Sequence, residues 1–472
     1  MIGTPASWRV VAVLAMVLAI AAGLVLVLVT PIGVLALLCV VFAAITLVLV
    51  PASRRPPLPP LSEPELAACG PLPTATVVVA GRDEAAVLPH LLADLGAQDH
   101  RDADGRPRFE VVVIDDRSTD ATGAVAARAA AEAGIGDVTR VVRRGAHAKA
   151  GEGVDHADGR PAVPLADGKG AALAATGPDD YRGEFVAILD ADARIPPDYL
   201  RRAASYFARG AGAMTARRRT LRHRPPRVWL DQLEAAQADE QDADGEIQRG
   251  RWASGGCSEF RGNGILVRRD LLAAVGGWHE HALCEDLDLS SRVAVLGTRV
   301  GWALDVVAWE EPVLDLGALR RQRLRWGMGI IRRELELTVP LLASRRLGLR
   351  AKVDYLAYSA QTVLPVSLLA ALVAGVLAGA WPSLVLLFAT YLGPGAALAG
   401  DALRWERPGG PRSIPERVAR SVRLLVFSAL WIPVFTVSWP LIAFGRGPLR
   451  YAKTEHTGAP EGFRPDAGGP PR

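Results

Sequence analysis

Three carboxylate clusters and one basic-aromatic motif hold the side chains best suited to chemistry. They are Asp115-Asp116-Arg117-Ser118-Thr119-Asp120, Asp190-Ala191-Asp192, Glu285-Asp286 and Gln322-Arg323-Leu324-Arg325-Trp326. Each follows a predicted strand or opens a predicted helix, and in open α/β sheets ligands sit outside the carboxyl ends of the strands. Asp115 and Asp116 can hydrogen-bond the base and ribose of a nucleotide. A single cap from Ser118 or Asp120 would satisfy the following helix, so the doubled aspartate exceeds what capping requires. Asp190 and Asp192, one residue apart after the apolar Ala187-Ile188-Leu189, can converge on Mg²⁺ or Mn²⁺, hard cations that take oxygen ligands and bridge a diphosphate. Glu285-Asp286 places acid in the first turn of a helix, where it complements the dipole. Asp286 has the chemistry of a general base, a role that requires reach to an acceptor hydroxyl, with Glu285 next in line. The arginines of Leu319–Leu335 read mostly as a basic amphipathic helix at a membrane surface. From that helix Arg325 can reach a pyrophosphate and Trp326 can flank an acceptor channel.

The elements that must position these groups are legible in the pattern. Thr76–Ala80, Glu110–Ile114, Val138–Val142 and Phe185–Leu189 read as strands, and Ala85–Gln98, Thr119–Ala133 and Tyr199–Arg209 as helices. Such alternation predicts a mostly parallel α/β sheet. Residues 145–167 are rich in glycine, alanine and aspartate without periodicity and read as a loop insertion. Leu230–Gln248 reads as an acidic helix crossing the domain.

Composition adds a membrane. The chain has 472 residues, half of them hydrophobic, and a mean hydropathy of +0.19, which suits a catalytic unit bracketed by spans. Trp8–Val29 and Ile32–Val50 form a predicted transmembrane hairpin around Thr30-Pro31, too long and too promptly repeated for a signal peptide. Residues 52–73 read as a proline-rich linker, 74–312 as the catalytic domain and 313–350 as interface helices. Three further spans are expected within 351–445, at Val353–Ala378, Trp381–Gly400 and Val418–Phe444, the last kinked or partly re-entrant at Pro433 and Pro440. Residues 446–472 read as a flexible tail. Arg9, Arg54 and Arg55 flank the hairpin, which puts Met1 and the catalytic domain on the cytoplasmic face of a multi-pass plasma-membrane protein. A net charge of +4 makes no case for nucleic acid. Cys39, Cys69, Cys257 and Cys284 lack metal-ligand spacing and read as reduced structural thiols.

Taken together, these motifs resemble the membrane-integrated glycosyltransferases of family 2, the group holding cellulose, hyaluronan, chitin and poly-N-acetylglucosamine synthases and ceramide glucosyltransferases. The resemblance spans about residues 74 to 335. It implies a GT-A fold and an inverting transfer from a UDP-sugar to a polysaccharide or glycolipid acceptor. By motif, Asp115 and Asp116 would contact uridine, Lys169 of Gly168-Lys169-Gly170 would lie near the donor, and Asp190 and Asp192 would bind UDP and metal. Asp286 would be the base, and Gln322, Arg325 and Trp326 would close over diphosphate and acceptor. Cellulose synthases have Phe-x-Val-Thr-Gly where this chain has Phe260-Arg261-Gly262-Asn263-Gly264, which argues against that activity. The Gln-x-x-Arg-Trp motif leans toward a polymer product. Polyprenyl-phosphate sugar synthesis is the second reading, though such enzymes usually lack that helix. A membrane scaffold is disfavoured because every acidic motif is intact.

Overall fold

The computed structural model describes residues 6–29, 61–145, 153–154, 163–164, 168–221, 228–387, 389 and 413–445. Its centre is a seven-stranded sheet. The strands in chain order are β1 (Ala75–Gly81), β2 (Phe109–Asp116), β3 (Thr139–Arg144), β4 (Gly153–Val154), β5 (Val163–Pro164), β6 (Phe185–Asp190), β7 (Ala213–Thr220), β8 (Ile265–Arg268) and β9 (Gly301–Glu310). In space they run β3-β2-β1-β6-β8-β7-β9, while β4 and β5 pair with each other. All neighbours in the large sheet are parallel except β8, which runs antiparallel to both β6 and β7.

The apolar runs are continuous because both faces of the sheet are covered. Successive residues point to opposite faces. Val77, Val79, Val111 and Val113 pack with Leu91, Leu95, Ala126, Ala130, Leu200 and Ala203 of the helices Leu88–Gly96, Thr122–Glu132 and Tyr199–Ala208. Val78, Val112 and Ile188 face the other way, onto Leu173, Leu289 and Val293 of Lys169–Leu173 and Glu285–Val295.

The predicted strands and helices of residues 74–209 are present within a few residues. Strands β7, β8 and β9 are additional. β7 ends in Arg217, Arg218 and Arg219, and β8 is four residues long, so neither carries the apolar signature of a strand. The acidic helix is longer than expected, running Val228–Ala253.

Two described helices are long and apolar enough to cross a membrane, Ser7–Val29 and Ile414–Phe444. Ile32–Val50, most of Trp381–Gly400 and the tail lie outside the described residues. The expected span Val353–Ala378 is not one straight helix. Leu349–Thr362 and Leu364–Leu377 meet at 47°, and Pro365, in the first turn of the second helix, disfavours helical backbone just before it. The Ala6–Leu24 helix packs on Leu364–Leu377 and Trp431–Phe444, and the long helix Leu316–Ala343 joins this bundle to Glu285–Val295.

The acidic helix ties the bundle to the catalytic domain. Asp239 is fully buried and accepts from Arg420 Nε at 2.6 Å and Arg423 Nε at 2.8 Å, both on the first half of the Ile414–Phe444 helix. Breaking a buried pair leaves an uncompensated charge, which typically costs about 3–5 kcal/mol. Asp239→Ala is therefore expected to lower the thermal midpoint of the detergent-solubilised protein by several degrees. An unchanged midpoint would show that the two halves do not depend on this ion cluster.

Candidate active site

The carboxyl ends of β1, β2 and β6 open into a cavity of about 680 Å³. At the first edge, β1 runs into Asp83, whose φ of 54° lies in the left-handed region. Its Oδ1 accepts from the Thr119 amide at 2.6 Å and the Thr119 hydroxyl at 3.0 Å, while Ser118 Oγ accepts from the Asp83 amide at 3.0 Å. Asp120 accepts from the amides of Ala85 and Thr122. Ser118 and Asp120 are thus occupied in fastening the first two strand-end loops together. Arg117, with φ of 58°, is the second non-glycine residue held in this strained region, and such strain clusters at functional sites.

The two aspartates that close β2 diverge, as neighbouring strand residues must. Asp116 lines the cavity, its carboxylate oriented by Arg117 Nε and Nη2 at 3.0 Å each and by Arg144 Nη1 at 2.6 Å. Asp115 is not among the lining residues. It lies under the start of the 122–132 helix, where a Cβ on Gly123 would come within 2.5 Å of its Oδ2.

Asp190 and Asp192 both line the cavity, with Lys169 between Asp190 and Glu285. The Lys169 ammonium hydrogen-bonds Asp190 and lies 3.5 Å from Glu285 Oε1. Burial works against its charge, but the carboxylates of Asp190 and Glu285 outweigh burial and hold it protonated. Asp192 accepts from the Glu311 amide at 3.1 Å. Its pKa is pushed well up, by burial first and then by the charges of Asp190 and Glu310. Burial also raises Glu285 against the opposing pull of Lys169, and raises Glu310 against that of Arg218.

Asp286 lines the same cavity and accepts from the Gly262 amide at 2.7 Å. Next to it in sequence, Asn263 accepts from the Asp190 amide at 3.2 Å. One dipeptide therefore supports the carboxylates on both sides of the cavity. Gln322, Arg325 and Trp326 reach the cavity from the Leu316–Ala343 helix. That helix comes so close to Cys284 that a Cβ on Gly329 would stand 2.4 Å from the Cys284 sulfur.

Of the sequence-predicted residues, Asp116, Lys169, Asp190, Asp192, Glu285, Asp286, Gln322, Arg325 and Trp326 meet at one cavity, and Asp115 does not. Several lining residues had no individual signal in the sequence, among them Glu310, Arg218, Arg261 and Asn263. Two of the helix's arginines also differ from an interface role. Arg323 is buried against Glu240 and over the rings of Trp326, Phe427 and Trp431, and Arg333 donates to Glu259 at 3.0 Å. The spacing of Arg323, Gly327, Ile330 and Arg333 along one helical face is the signal that marks them as inward. Beyond these polar groups the cavity continues along Leu368, Leu424, Leu425, Ile432 and Phe435 of the membrane helices.

Comparison with known proteins agrees with this geometry. Residues 76–276 match the profile of glycosyl transferase family 2, and residues 185–398 that of glycosyl transferase family group 2. The chain is a family 2 glycosyltransferase. A beta-monoglucosyldiacylglycerol synthase of Synechocystis is 29% identical over 83% of this chain and 76% of its own length. A protein of the same name from Trichormus variabilis is 28% identical over 83% of this chain and 78% of its own. The fold is shared with a mannosyltransferase of Pyrobaculum calidifontis, solved in complex with GDP-Man and Mn²⁺, at a TM-score of 0.52 and 20% identity over 93% of this chain and 100% of that one. That similarity gives this glycosyltransferase a GT-A fold.

Asp192→Asn removes the buried charge that Asp190 and Glu310 oppose while preserving shape. In metal-free protein the variant is expected to melt a few degrees higher than the parent. A lower midpoint would show that the carboxylate is favourably solvated where it sits.

Proposed function

We propose that this glycosyltransferase moves a hexose, with inversion, from a UDP-sugar to a hydroxyl of an uncharged membrane lipid of the diacylglycerol class. The observation that carries this reading is the single cavity, which joins strand-end carboxylates at one side to an apolar wall of membrane helices at the other. An acceptor fitting both must be amphipathic. The two relatives, each called a beta-monoglucosyldiacylglycerol synthase, support the same class. A polymer product, toward which Gln-x-x-Arg-Trp leans, makes no use of that wall.

The charges also favour an uncharged acceptor over a polyprenyl phosphate. Each guanidinium on the acceptor side already faces a carboxylate: Arg218 with Glu310 at 3.4 Å, Arg261 with Asp244 at 2.6 Å, Arg333 with Glu259 at 3.0 Å, and Arg323 with Glu240. A phosphate would need at least one of these cations, and taking it would strand a buried carboxylate.

On the donor side, Asp116, Lys169, Gln322, Arg325 and Trp326 surround the nucleotide and its diphosphate. Asp190 and Asp192 offer oxygen ligands suited to Mg²⁺ or Mn²⁺, and the crowding that raises Asp192 is the electrostatic demand a cation meets. Asp190 and Asp192 would hold such an ion together with the donor's diphosphate, since Mg²⁺ needs few protein carboxylates. When bound, the ion neutralises charge on the leaving diphosphate. Asp286, held by the Gly262 amide, takes the proton of the acceptor hydroxyl as its oxygen bonds to the anomeric carbon and the bond to the diphosphate breaks. Glu285, paired with Lys169, is committed to holding that ammonium. On this reading the reaction runs at the cytoplasmic face of the membrane, the side on which Arg9 and a water-soluble nucleotide-sugar donor are expected.

Membranes carrying the enzyme, supplied with labelled UDP-hexoses and diacylglycerol, are expected to yield one labelled lipid, and excess EDTA is expected to stop its formation. Label appearing only in a polymer, or full transfer in EDTA, would overturn the acceptor or the metal respectively. Asp286→Asn should reduce transfer by about 10²- to 10⁴-fold with nucleotide affinity preserved. Near-normal turnover would move the base elsewhere.

A further inference from the structure

Resting on the lipid-acceptor reading, we propose that the acceptor enters the cavity sideways from the bilayer, through a slot between a bent helix pair and the Ile414–Phe444 helix. The first edge is the 47° bend at residues 360–363. Irregular backbone at membrane depth is tolerated only where it is buried or lines a cavity, and where its freed groups find partners. Here they do. Thr362 is fully buried, its hydroxyl bonds Glu334 Oε2 at 3.0 Å, and its carbonyl accepts from the Trp439 indole at 2.9 Å. The bend is therefore a built feature, held from both sides.

The second edge is the continuous helix Ile414–Phe444. Both edges face the same cavity: Gln361, Leu364 and Pro365 line it from the first, Ser428 and Trp431 from the second. Leu364 lines the cavity and is 54% exposed, so an apolar side chain at this edge is left open and not packed into the bundle. Leu368 and Phe435 add to the apolar lining.

This layout suits lateral loading. A long-chain lipid arriving through water would expose its methylenes, each of which is penalised. Sliding between the bend and the Ile414–Phe444 helix keeps the chains in apolar surroundings and lets only the hydroxyl advance toward Asp286.

The test uses the full chain in phospholipid nanodiscs, the UDP-hexose the parent accepts, and two acceptors: dioleoylglycerol in the bilayer and dihexanoylglycerol added from water. Leu364→Trp and Ser428→Trp narrow the slot, and Val373→Trp, on an exposed helix face away from the cavity, is the control. Both slot variants are expected to lose about tenfold or more in transfer to dioleoylglycerol. Transfer to dihexanoylglycerol and slow hydrolysis of the donor should stay within about twofold of the parent, which also shows that the variants fold. Undiminished transfer to dioleoylglycerol, or equal losses for the two acceptors, overturns the slot. A parent enzyme that hydrolyses donor but labels neither diacylglycerol overturns the lipid-acceptor reading, and this inference with it.

Discussion

The site depends on one close approach, that of the Leu316–Ala343 helix to the turn carrying Cys284, Glu285 and Asp286. Gly329 permits it, because any side chain there would meet the Cys284 sulfur. The contact has two consequences. It sets Gln322, Arg325 and Trp326 opposite the strand-end carboxylates, and it brings the membrane bundle against the catalytic domain so that both contribute walls to one cavity. On its other side the same helix meets Trp431–Phe444 through Gly327, which leaves equally little room beside Ser438 and Val434. Two glycines two residues apart thus let one helix serve as the seam between chemistry and membrane.

Charge is the second constraint. The cavity gathers crowded carboxylates and matched ion pairs, with Glu310, which faces Arg218, belonging to both sets. Asp192, Glu285 and Glu310 are buried deeply enough that their charged forms are disfavoured. Arg261, Arg333 and Arg323 each face a carboxylate, so they shape the cavity without adding net attraction for an anion. Arg323, enclosed by Trp326, Phe427 and Trp431 and paired with Glu240, acts as a pin between the motif helix and the last membrane helices.

The bend at 360–363 belongs to the same arrangement. Fastened by Glu334 and Trp439, it sits where Gln361, Leu364, Pro365 and Leu368 line the cavity. Under the proposed function, an amphipathic acceptor and a water-soluble donor would meet at one carboxylate without either leaving its preferred solvent.

By itself the sequence determined the parts whose signal is local. Continuous β-branched runs marked β1, β2, β3 and β6, because strands buried on both faces need no polar alternation. Carboxylates directly after such runs marked the active edge, and the long apolar stretch at the N-terminus marked a span. Everything that depends on residues distant in sequence was decided by tertiary structure. Asp115 and Asp116 look equivalent on paper, yet neighbouring strand residues point to opposite faces and only Asp116 reaches the cavity. β7 carries three consecutive arginines and earns its place in the sheet from partners on both sides, β8 and β9. Arg323 and Arg333 read as part of a membrane-surface helix; the carboxylates that bury them, Glu240 and Glu259, come from segments more than 70 residues away. A chain can display local propensity and local charge, but the field and packing around a side chain exist only once the segments that supply them have come together.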